Sequence, residues 1–231
     1  MTDARETSTA TERYDAIVIG AGINGMYQLV RLRELGLSVR VFDAAGDVGG
    51  TWYWNRYPGC RFDSESYTYI YSFSQELLDE WDWKELFSPQ PETLRYCQYV
   101  ADKFDLRRDM QLNTRVTSAR FDEANDEWAI ETEDGRKARC RYLITAVGPL
   151  STPIMPKIEG VDSFEGESHH TGLWPREPVN FKGKRVAVIG TGASAVQLIP
   201  VVAQVAAHLT VSNAARTGVP LSTTVPSTPR K

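Results

Sequence analysis

The sequence predicts an α/β protein with two Rossmann-like βαβ units, a small β-meander in the first unit and an incomplete second domain. Two glycine-rich turns carry this prediction, Gly20–Gly25 and Gly190–Ala195, because each follows a short apolar run and precedes a run with helical periodicity. The third observation is the stretch Val116–Ala146, where apolar and polar residues alternate as they do in half-buried strands.

The first βαβ unit begins with the apolar run Tyr14–Ile19, which predicts a short buried strand. Met26–Leu35 carries apolar residues at helical spacing, and Gly36 is the residue type that commonly ends a helix. Ser38–Asp43 predicts the second strand of the unit. Glu92–Leu106 is a further predicted helix.

The meander is predicted from the change to a period of two after Gln111. Its three strands are Val116–Phe121, Glu127–Thr132 and Lys137–Ala146, and acidic, Asn- and Gly-containing turns separate them.

The second βαβ unit opens at Lys184, with a strand at Arg185–Ile189, a helix to about Ala207 and a strand at Leu209–Val211. Half of the residues that follow are Ser, Thr or Pro without periodicity, which indicates coil. The predicted organisation is therefore a disordered tail (1–13), a first dinucleotide-binding domain (14–150), a linker (151–183), the start of a second such domain (184–211) and a coil tail (212–231).

Composition excludes several classes of protein. The 231 residues are 42% hydrophobic and 24% charged, which is typical of a soluble globular protein. The formal net charge is −4, so we expect neither a nucleic-acid partner nor an anionic membrane surface. Residues 1–13 lack the apolar run of a signal peptide or membrane anchor, which predicts a cytoplasmic protein.

The cysteines Cys60, Cys97 and Cys140 are scattered and form no CxxC pair. This spacing predicts no metal site, and it fits a reducing compartment in which the thiols are buried and unreactive.

The first glycine turn has the residues that a dinucleotide site requires. Gly20 allows a tight turn, Gly22 lets backbone approach a pyrophosphate, and Gly25 lets helix and strand pack closely. Asp43 follows at the spacing of about 20 residues at which an acid accepts hydrogen bonds from the ribose hydroxyls. The alternative is a glycine-rich turn in an α/β protein of another kind.

The second glycine turn lacks the acid, because Ser212 and Asn213 follow its second strand. An absent carboxylate leaves room for a 2′-phosphate, which favours NADP over NAD. The order of the two sites therefore suggests FAD first and NADPH second, with hydride transfer between them. The residues expected to contact the second dinucleotide are Gly190, Thr191, Gly192, Ser194, Ala195 and Gln197.

Two longer motifs lie between the glycine turns. Gly49–Asp63 matches the pattern G-G-x-W-x-x-x-x-Y-P-G-x-x-x-D, and Phe164–Pro175 matches F-x-G-x-x-x-H-x-x-x-W-P. With both motifs in this order, residues 14–211 resemble the flavin-dependent Baeyer–Villiger monooxygenases, the group of the cyclohexanone, phenylacetone and steroid monooxygenases.

The resemblance implies that NADPH reduces FAD and that the reduced flavin, with dioxygen, converts a ketone into an ester or lactone. It implies that Thr51 and Trp52 lie along the flavin, and that Tyr69 and Val116 contact FAD. Asp63 is implied as the catalytic residue, beside the flavin ring, where it orients an arginine that stabilises developing negative charge.

The resemblance also implies that His170 and Trp174, in the second motif, couple movement of the nicotinamide domain to turnover. Without the resemblance, the alternative for His170 is a hydrogen-bonded structural histidine, and the alternative for Asp63 is a surface carboxylate or helix cap. Likewise, the aromatic residues of the first motif could form a core cluster: Trp52, Tyr53, Trp54 and Tyr57.

Enzymes of this family are more than twice as long, and their catalytic arginine lies beyond the position of Val211. We therefore expect this chain alone not to oxidise ketones. Synonymous codons for Ser212–Arg230, read two bases later, can spell residues that resemble the family's continuation, which suggests a one-base frameshift. The alternatives are a non-catalytic FAD-binding remnant, or a protein like the flavin reductases or the N-oxidising flavin monooxygenases.

Overall fold

The computed structural model describes residues 11–150, 152–214 and 220–225. The chain divides into two compact units, the first made of residues up to 53 with 94–151, and the second of residues 54–93 with 152–231. The sequence placed residues 54–93 in the first domain. They group with the second unit because the loop at residues 57–63 is hydrogen-bonded to a helix of that unit.

The helices and strands of the described residues follow the predicted order, with short additions. In chain order they are β1 (Glu12–Ile19), α1 (Ile23–Glu34), β2 (Val39–Phe42), α2 (Thr51–Trp54), α3 (Gln75–Glu80), α4 (Gln90–Lys103), β3 (Met110–Gln111), β4 (Val116–Asp122), β5 (Glu127–Thr132), β6 (Lys137–Thr145), β7 (Arg185–Ile189), α5 (Ala193–Ala203), β8 (His208–Ala214) and β9 (Pro220–Val225). Among these residues no helix is long and apolar enough to cross a bilayer.

The first unit contains a six-stranded sheet in the order β3-β2-β1-β6-β5-β4. β1 pairs in parallel with β2 and β6, whereas β4, β5 and β6 pair antiparallel as the predicted meander. This mixed sheet confirms the predicted α/β class. Because β1, β2 and β6 are parallel, their carboxyl ends lie at one edge, where Gly20, Asp43 and Ala146 follow them.

Apolar strand residues form the core of the first unit. Ile17, Phe42 and Ile130 are at most 2% exposed and pack with Ala138 and Cys140. Full burial of side chains of this size contributes about 1.5–3 kcal/mol each. α1 covers the sheet with residues at helical spacing, of which Met26, Leu29 and Val30 are buried.

The second unit has a three-stranded sheet in the order β7-β8-β9. β7 pairs in parallel with β8, and α5 connects them, so the predicted second βαβ unit is present. The prediction of coil for 212–231 is wrong over Ser212–Ala214 and Pro220–Val225, where β8 and β9 pair antiparallel. Pairing with β9 satisfies backbone groups along β8, and Thr223, Thr224 and Val225 are types that favour strands. The rest of that tail lies outside the described residues.

The N-terminal tail is shorter than predicted. β1 begins at Glu12, which pairs with Ala138 of β6, and its ladder continues through Arg13. Backbone pairing with β6 therefore makes β1 two residues longer than predicted, because Glu12 and Arg13 join the strand before Tyr14. Residues 1–10 lie outside the described residues.

Asp47 fixes the loop between β2 and α2. Its carboxylate accepts hydrogen bonds from Arg107 Nη1 at 2.6 Å, Gln98 Nε2 at 2.8 Å and the Val48 amide at 2.8 Å. Burial alone would raise the pKa of Asp47, but the bonds from Arg107, Gln98 and Val48 outweigh it, so the pKa is lowered. The carboxylate therefore stabilises the folded state in its ionised form.

We expect Asp47→Ala to lower the free energy of unfolding by about 1.5–3 kcal/mol, because it removes a charged acceptor of several hydrogen bonds. Asp102→Ala is the matched control. Asp102 also accepts from Arg107, at 2.6 Å, but its side chain is 65% exposed, so its loss costs less than about 1 kcal/mol. Urea denaturation followed by circular dichroism measures both, and equal losses would contradict the assignment.

The contribution of Asp47 should also depend on pH. Because its folded pKa is lowered, the stabilisation is present above the ordinary carboxyl value of 3.8 and is lost as pH falls through the folded value. The difference in unfolding free energy between the wild type and Asp47→Ala should thus be constant near neutral pH and shrink below about pH 4. A difference that grows on acidification would contradict this.

Candidate dinucleotide-binding turns and the Asp63 loop

Backbone packing at the first turn leaves no space for a side chain. Gly20 has a φ of +109°, and a Cβ there would lie 2.4 Å from the Ala146 carbonyl oxygen. A Cβ on Gly25 would lie 1.8 Å from the Gly20 carbonyl oxygen. β1, α1 and the end of β6 therefore approach as closely as their backbones allow, as the sequence predicts for Gly20 and Gly25.

The first turn also packs against the start of the long motif. The Gly49 amide donates to the Ala21 carbonyl at 3.0 Å, and a Cβ on Gly50 would lie 2.9 Å from Gly22 Cα. α2 begins at the next residue, so Thr51 and Trp52 follow directly from the contact with the turn. Trp52 is 6% exposed, as expected if this aromatic side chain is part of the core. Its contact with the flavin stays a prediction.

Asp43 lies at the carboxyl end of β2, where the sequence places a ribose-binding acid. Its Oδ2 accepts from the Ala21 amide at 2.5 Å, and its Oδ1 accepts from the Ala45 amide at 2.7 Å. The carboxylate thus holds the glycine turn in shape. Each oxygen has two lone pairs, so the same group has the capacity to accept from ribose hydroxyls as well.

The residues of the first turn fit a dinucleotide pyrophosphate. Gly22 is the N-cap of α1, and the first turn of this helix contains no acidic residue. The helix N-terminus carries a partial positive charge, and the bare backbone of Gly22 permits close approach of an anion. This is the arrangement that an FAD pyrophosphate requires.

Tyr69 and Val116 are placed in separate units. Val116 begins β4 and packs against the core cluster of the first unit. Tyr69, in the second unit, stacks on Phe62 with ring centroids 4.4 Å apart, and the Trp83 ring meets Phe62 edge-on at 5.8 Å. Contact of either residue with FAD stays a prediction.

The second turn has the same backbone shape with more space around it. Gly190 has a φ of +108°, Gly192 is the N-cap of α5, and a Cβ on either would meet no described atom within 4 Å. The Gly190 amide donates to the Ser212 carbonyl at 2.7 Å, which ties the turn to β8. Ala195 is 8% exposed, and Thr191 is exposed. The open backbone fits a second pyrophosphate.

Tyr57 connects the long motif to α5 within the second unit. Its hydroxyl donates to Gln197 Oε1 at 2.8 Å, and Ser194 also hydrogen-bonds it. Burial raises the pKa of Tyr57 to about 12, so the hydroxyl keeps its proton as a donor. Ser194 and Gln197, which the sequence assigns to the second dinucleotide, therefore contact the protein's own loop.

Gln197 also reaches Asp63. Its Oε1 accepts from the Arg61 amide at 3.1 Å, and its Nε2 donates to the Arg61 carbonyl and to Asp63 Oδ1, each at 2.9 Å. Gly59, with a φ of +81°, lies so close that a Cβ would be 2.4 Å from the Gln197 carbonyl oxygen. The loop Tyr57–Asp63 is thus seated on α5, and Asp63 is itself exposed.

Sequence reasoning overlooked the roles of Tyr57, Gly59 and Arg61. The Tyr57-Pro-Gly59 run was visible as part of the motif, and a glycine after proline signals a turn with positive φ. Nothing local indicates that Gln197 would be its partner, because the two are well over 100 residues apart.

His170 has the hydrogen-bonded structural role that the sequence offered as one alternative. Its Nδ1 accepts from the Gly172 amide at 3.1 Å and caps the short helical turn at Thr171–Leu173. Trp174 packs against His169 and Phe181 at ring distances of 5.4 and 6.1 Å. The coupling role that the resemblance implies for His170 and Trp174 stays a prediction.

The three thiols are unsuited to chemistry. All are buried, and burial raises the pKa of Cys60 and Cys140 to about 11 and that of Cys97 to about 12. They are therefore protonated at neutral pH. In the described part of the chain, no group of three or more His, Cys, Asp or Glu residues could hold a metal ion.

Comparison with known proteins identifies the class. The model of the flavin-binding monooxygenase-like family matches residues 14–224, so the chain belongs to this family. The members of this family bind flavin, and the resemblance drawn from the two long motifs is confirmed.

Particular relatives narrow the class. The chain is 51% identical over 199 residues to cyclohexanone 1,2-monooxygenase of an Acinetobacter species and, over the same length, to phenazine N-monooxygenase of Lysobacter antibioticus. Each alignment covers 86% of this chain but only 36% and 37% of the relatives, respectively, so the chain spans little more than a third of their length. The structure of OTEMO in complex with FAD and NADP superposes with a TM-score of 0.82 at 48% identity, covering 87% of this chain and 39% of that one.

The two turns should respond differently to a methyl group. Gly25→Ala forces a Cβ against backbone and should lower the free energy of unfolding by about 3 kcal/mol or more. Gly192→Ala meets no described atom, so we expect a change within about 1 kcal/mol, although the methyl obstructs an approaching phosphate.

Thermal denaturation of both glycine variants, followed by far-UV circular dichroism, measures the difference. Equal destabilisation would show that the two turns are packed alike, contrary to the geometry described above.

Proposed function

We propose that this chain binds FAD at the first glycine turn and NADP(H) at the second, and that it serves in Baeyer–Villiger oxygenation of a ketone to an ester or lactone. One observation carries the proposal: the motif that begins at Gly49 packs against the Gly20–Gly25 turn. The chain that contains both is 51% identical over 199 residues to cyclohexanone 1,2-monooxygenase. The location that this fits is the reducing cytoplasm.

The residues of the first turn would hold FAD by backbone rather than by side chains. The α1 N-terminus at Gly22 would bind the pyrophosphate, and Asp43 would accept from the ribose hydroxyls. When bound, FAD accepts a hydride from NADPH and activates dioxygen for insertion beside the ketone carbonyl. This chain's own contribution is to bind and orient the cofactors.

Asp63 would position a cation near the reacting atoms. An exposed carboxylate with one oxygen held by Gln197 presents a fixed negative charge, and a fixed charge orients an arginine without reorganisation during the reaction. A preorganised donor held in this way is worth about 10²- to 10³-fold in rate.

N-oxygenation is the second candidate, because the phenazine N-monooxygenase is as similar to this chain as the cyclohexanone enzyme. The two reactions differ in the atom that receives oxygen. Product analysis with cyclohexanone and with an aromatic N-heterocycle distinguishes them.

We expect Asp43→Ala to weaken FAD binding about tenfold to hundredfold, because a charged acceptor of ribose hydroxyls contributes roughly 1.5–3 kcal/mol. Quenching of FAD fluorescence on titration with the purified chain measures this. Asp162→Ala, at an exposed position, is the control and should bind like the wild type. Unchanged binding by a folded Asp43→Ala would contradict the placement of the site.

The reaction itself is tested on a chimaera in which this chain replaces the matching 199 residues of the Acinetobacter cyclohexanone 1,2-monooxygenase. Loaded with FAD and given NADPH, dioxygen and cyclohexanone, it should form the lactone in amounts matching NADPH consumed, and Asp63→Ala should lower the rate by about 10²-fold or more. Consumption of NADPH with hydrogen peroxide as the only product would contradict the proposal.

A further inference from the structure

The Gln197 carboxamide is saturated with hydrogen bonds to the loop Tyr57–Asp63. An amide offers two donor hydrogens and two acceptor lone pairs. Here the oxygen accepts from the Tyr57 hydroxyl and the Arg61 amide, and the nitrogen donates to the Arg61 carbonyl and to Asp63. All four positions are engaged within a distance of 3.1 Å.

The network also fixes which way the amide faces. Gln197 pairs with both the N–H and the C=O of Arg61, as one strand pairs with another. A flipped amide would set its NH2 group against the Arg61 N–H and its oxygen against the Arg61 carbonyl and the Asp63 carboxylate, so each contact would become repulsive. Arg61 and Asp63 therefore allow only one orientation of the Gln197 amide, and this amide in turn fixes the Arg61 backbone and the Asp63 carboxylate.

Gln197 lies on α5 directly after the second glycine turn, one helical turn beyond Gly192–Ser194. Ser194 joins the same network through Tyr57. The helix whose N-terminus faces the second dinucleotide thus carries the two side chains that seat the Asp63 loop. A shift of α5 would move the Asp63 carboxylate with it, because side chain and backbone of the loop are held at several points.

We propose that Gln197 is a positioning residue for Asp63, which links the second glycine turn to the catalytic carboxylate, rather than a ligand of the nicotinamide dinucleotide. A contact from this amide to a nucleotide would require one of its four hydrogen bonds to break. The inference rests on the proposed role of Asp63, but the seating of the loop is measurable without any cofactor.

The first measurement uses the chain without cofactor. Gln197→Met keeps the approximate volume of the side chain and removes all four hydrogen bonds. Gln197→Glu keeps the two accepted bonds, loses the two donated bonds and brings a like charge to Asp63. In Gln197→Met we expect hydrogen exchange of the Arg61 amide to accelerate about tenfold, the effect of one lost hydrogen bond, with the Val202 amide of α5 unchanged. The ¹³Cγ resonance of Asp63 should move in both, and further in Gln197→Glu.

Gln204→Met is the matched control, because Gln204 is the exposed C-cap of the same helix. It should leave the exchange of Arg61 and the Asp63 resonance as in the wild type. Equal acceleration at Arg61 and Val202 would reveal a merely structural role and overturn the proposal, as would an unchanged Asp63 resonance. If a Gln197 variant does not fold, Tyr57→Phe decides: it removes one of the four bonds and should change Arg61 exchange in the same direction, by less.

The second measurement uses the FAD-loaded chain. We expect Gln197→Met to shift the visible flavin spectrum in the direction of Asp63→Ala, and the double variant to match Asp63→Ala alone, because the first residue acts through the second. Additive shifts would overturn the proposal. If the chain takes up no FAD, the proposed function fails, and the exchange and resonance data still decide whether Gln197 positions Asp63.

Discussion

Close backbone packing at the first glycine turn is the constraint on which the rest of the first unit depends. The Gly20 carbonyl occupies the place where residue 25 would carry a Cβ, and the Ala146 carbonyl occupies the place of a Cβ on Gly20. Three parallel strands can therefore end, and one helix begin, at one edge of the sheet. That edge presents backbone amides and a helix N-terminus instead of side chains, which is what an anionic cofactor requires.

In the first unit, the carboxylates of Asp43 and Asp47 accept hydrogen bonds from neighbouring amides and, at Asp47, from one guanidinium. Asp43 is hydrogen-bonded to the turn itself, and Asp47 is bonded to Gln98 and Arg107 of the same unit. Both carboxylates are thereby held in fixed positions in the first unit. The second turn is built differently: Ala195 replaces the third glycine, and space remains around Gly190 and Gly192. Both turns donate from their first glycine to the neighbouring parallel strand, from Gly20 to Phe42 at 2.8 Å and from Gly190 to Ser212 at 2.7 Å, but in the first turn close packing also leaves no space for a Cβ on Gly20 or Gly25.

Local pattern was sufficient to predict most of the fold. The three strands of the meander lie where the alternation of residues predicts them, and β7 lies at the apolar run before the second glycine turn. Gly36 follows the end of α1 with a φ of +75°. Gly20, Gly22, Gly25 and Asp43 were predictable because each answers a local requirement of one turn. β9 was not, because the Ser-, Thr- and Pro-rich composition resembles coil and the strand depends on pairing with β8. Nor could the sequence pair Gln197 with Tyr57, Arg61 and Asp63, since that contact joins residues distant along the chain.

The central claim is that the first glycine turn of this chain is an FAD site. It is tested most directly by incubating the purified 231-residue chain with excess FAD, removing unbound cofactor by gel filtration and recording the visible spectrum. The account predicts a yellow protein with about one flavin per chain, released on denaturation, as expected of a Rossmann-like turn. A protein that is folded by circular dichroism but elutes without flavin, even at high FAD concentration, would contradict it.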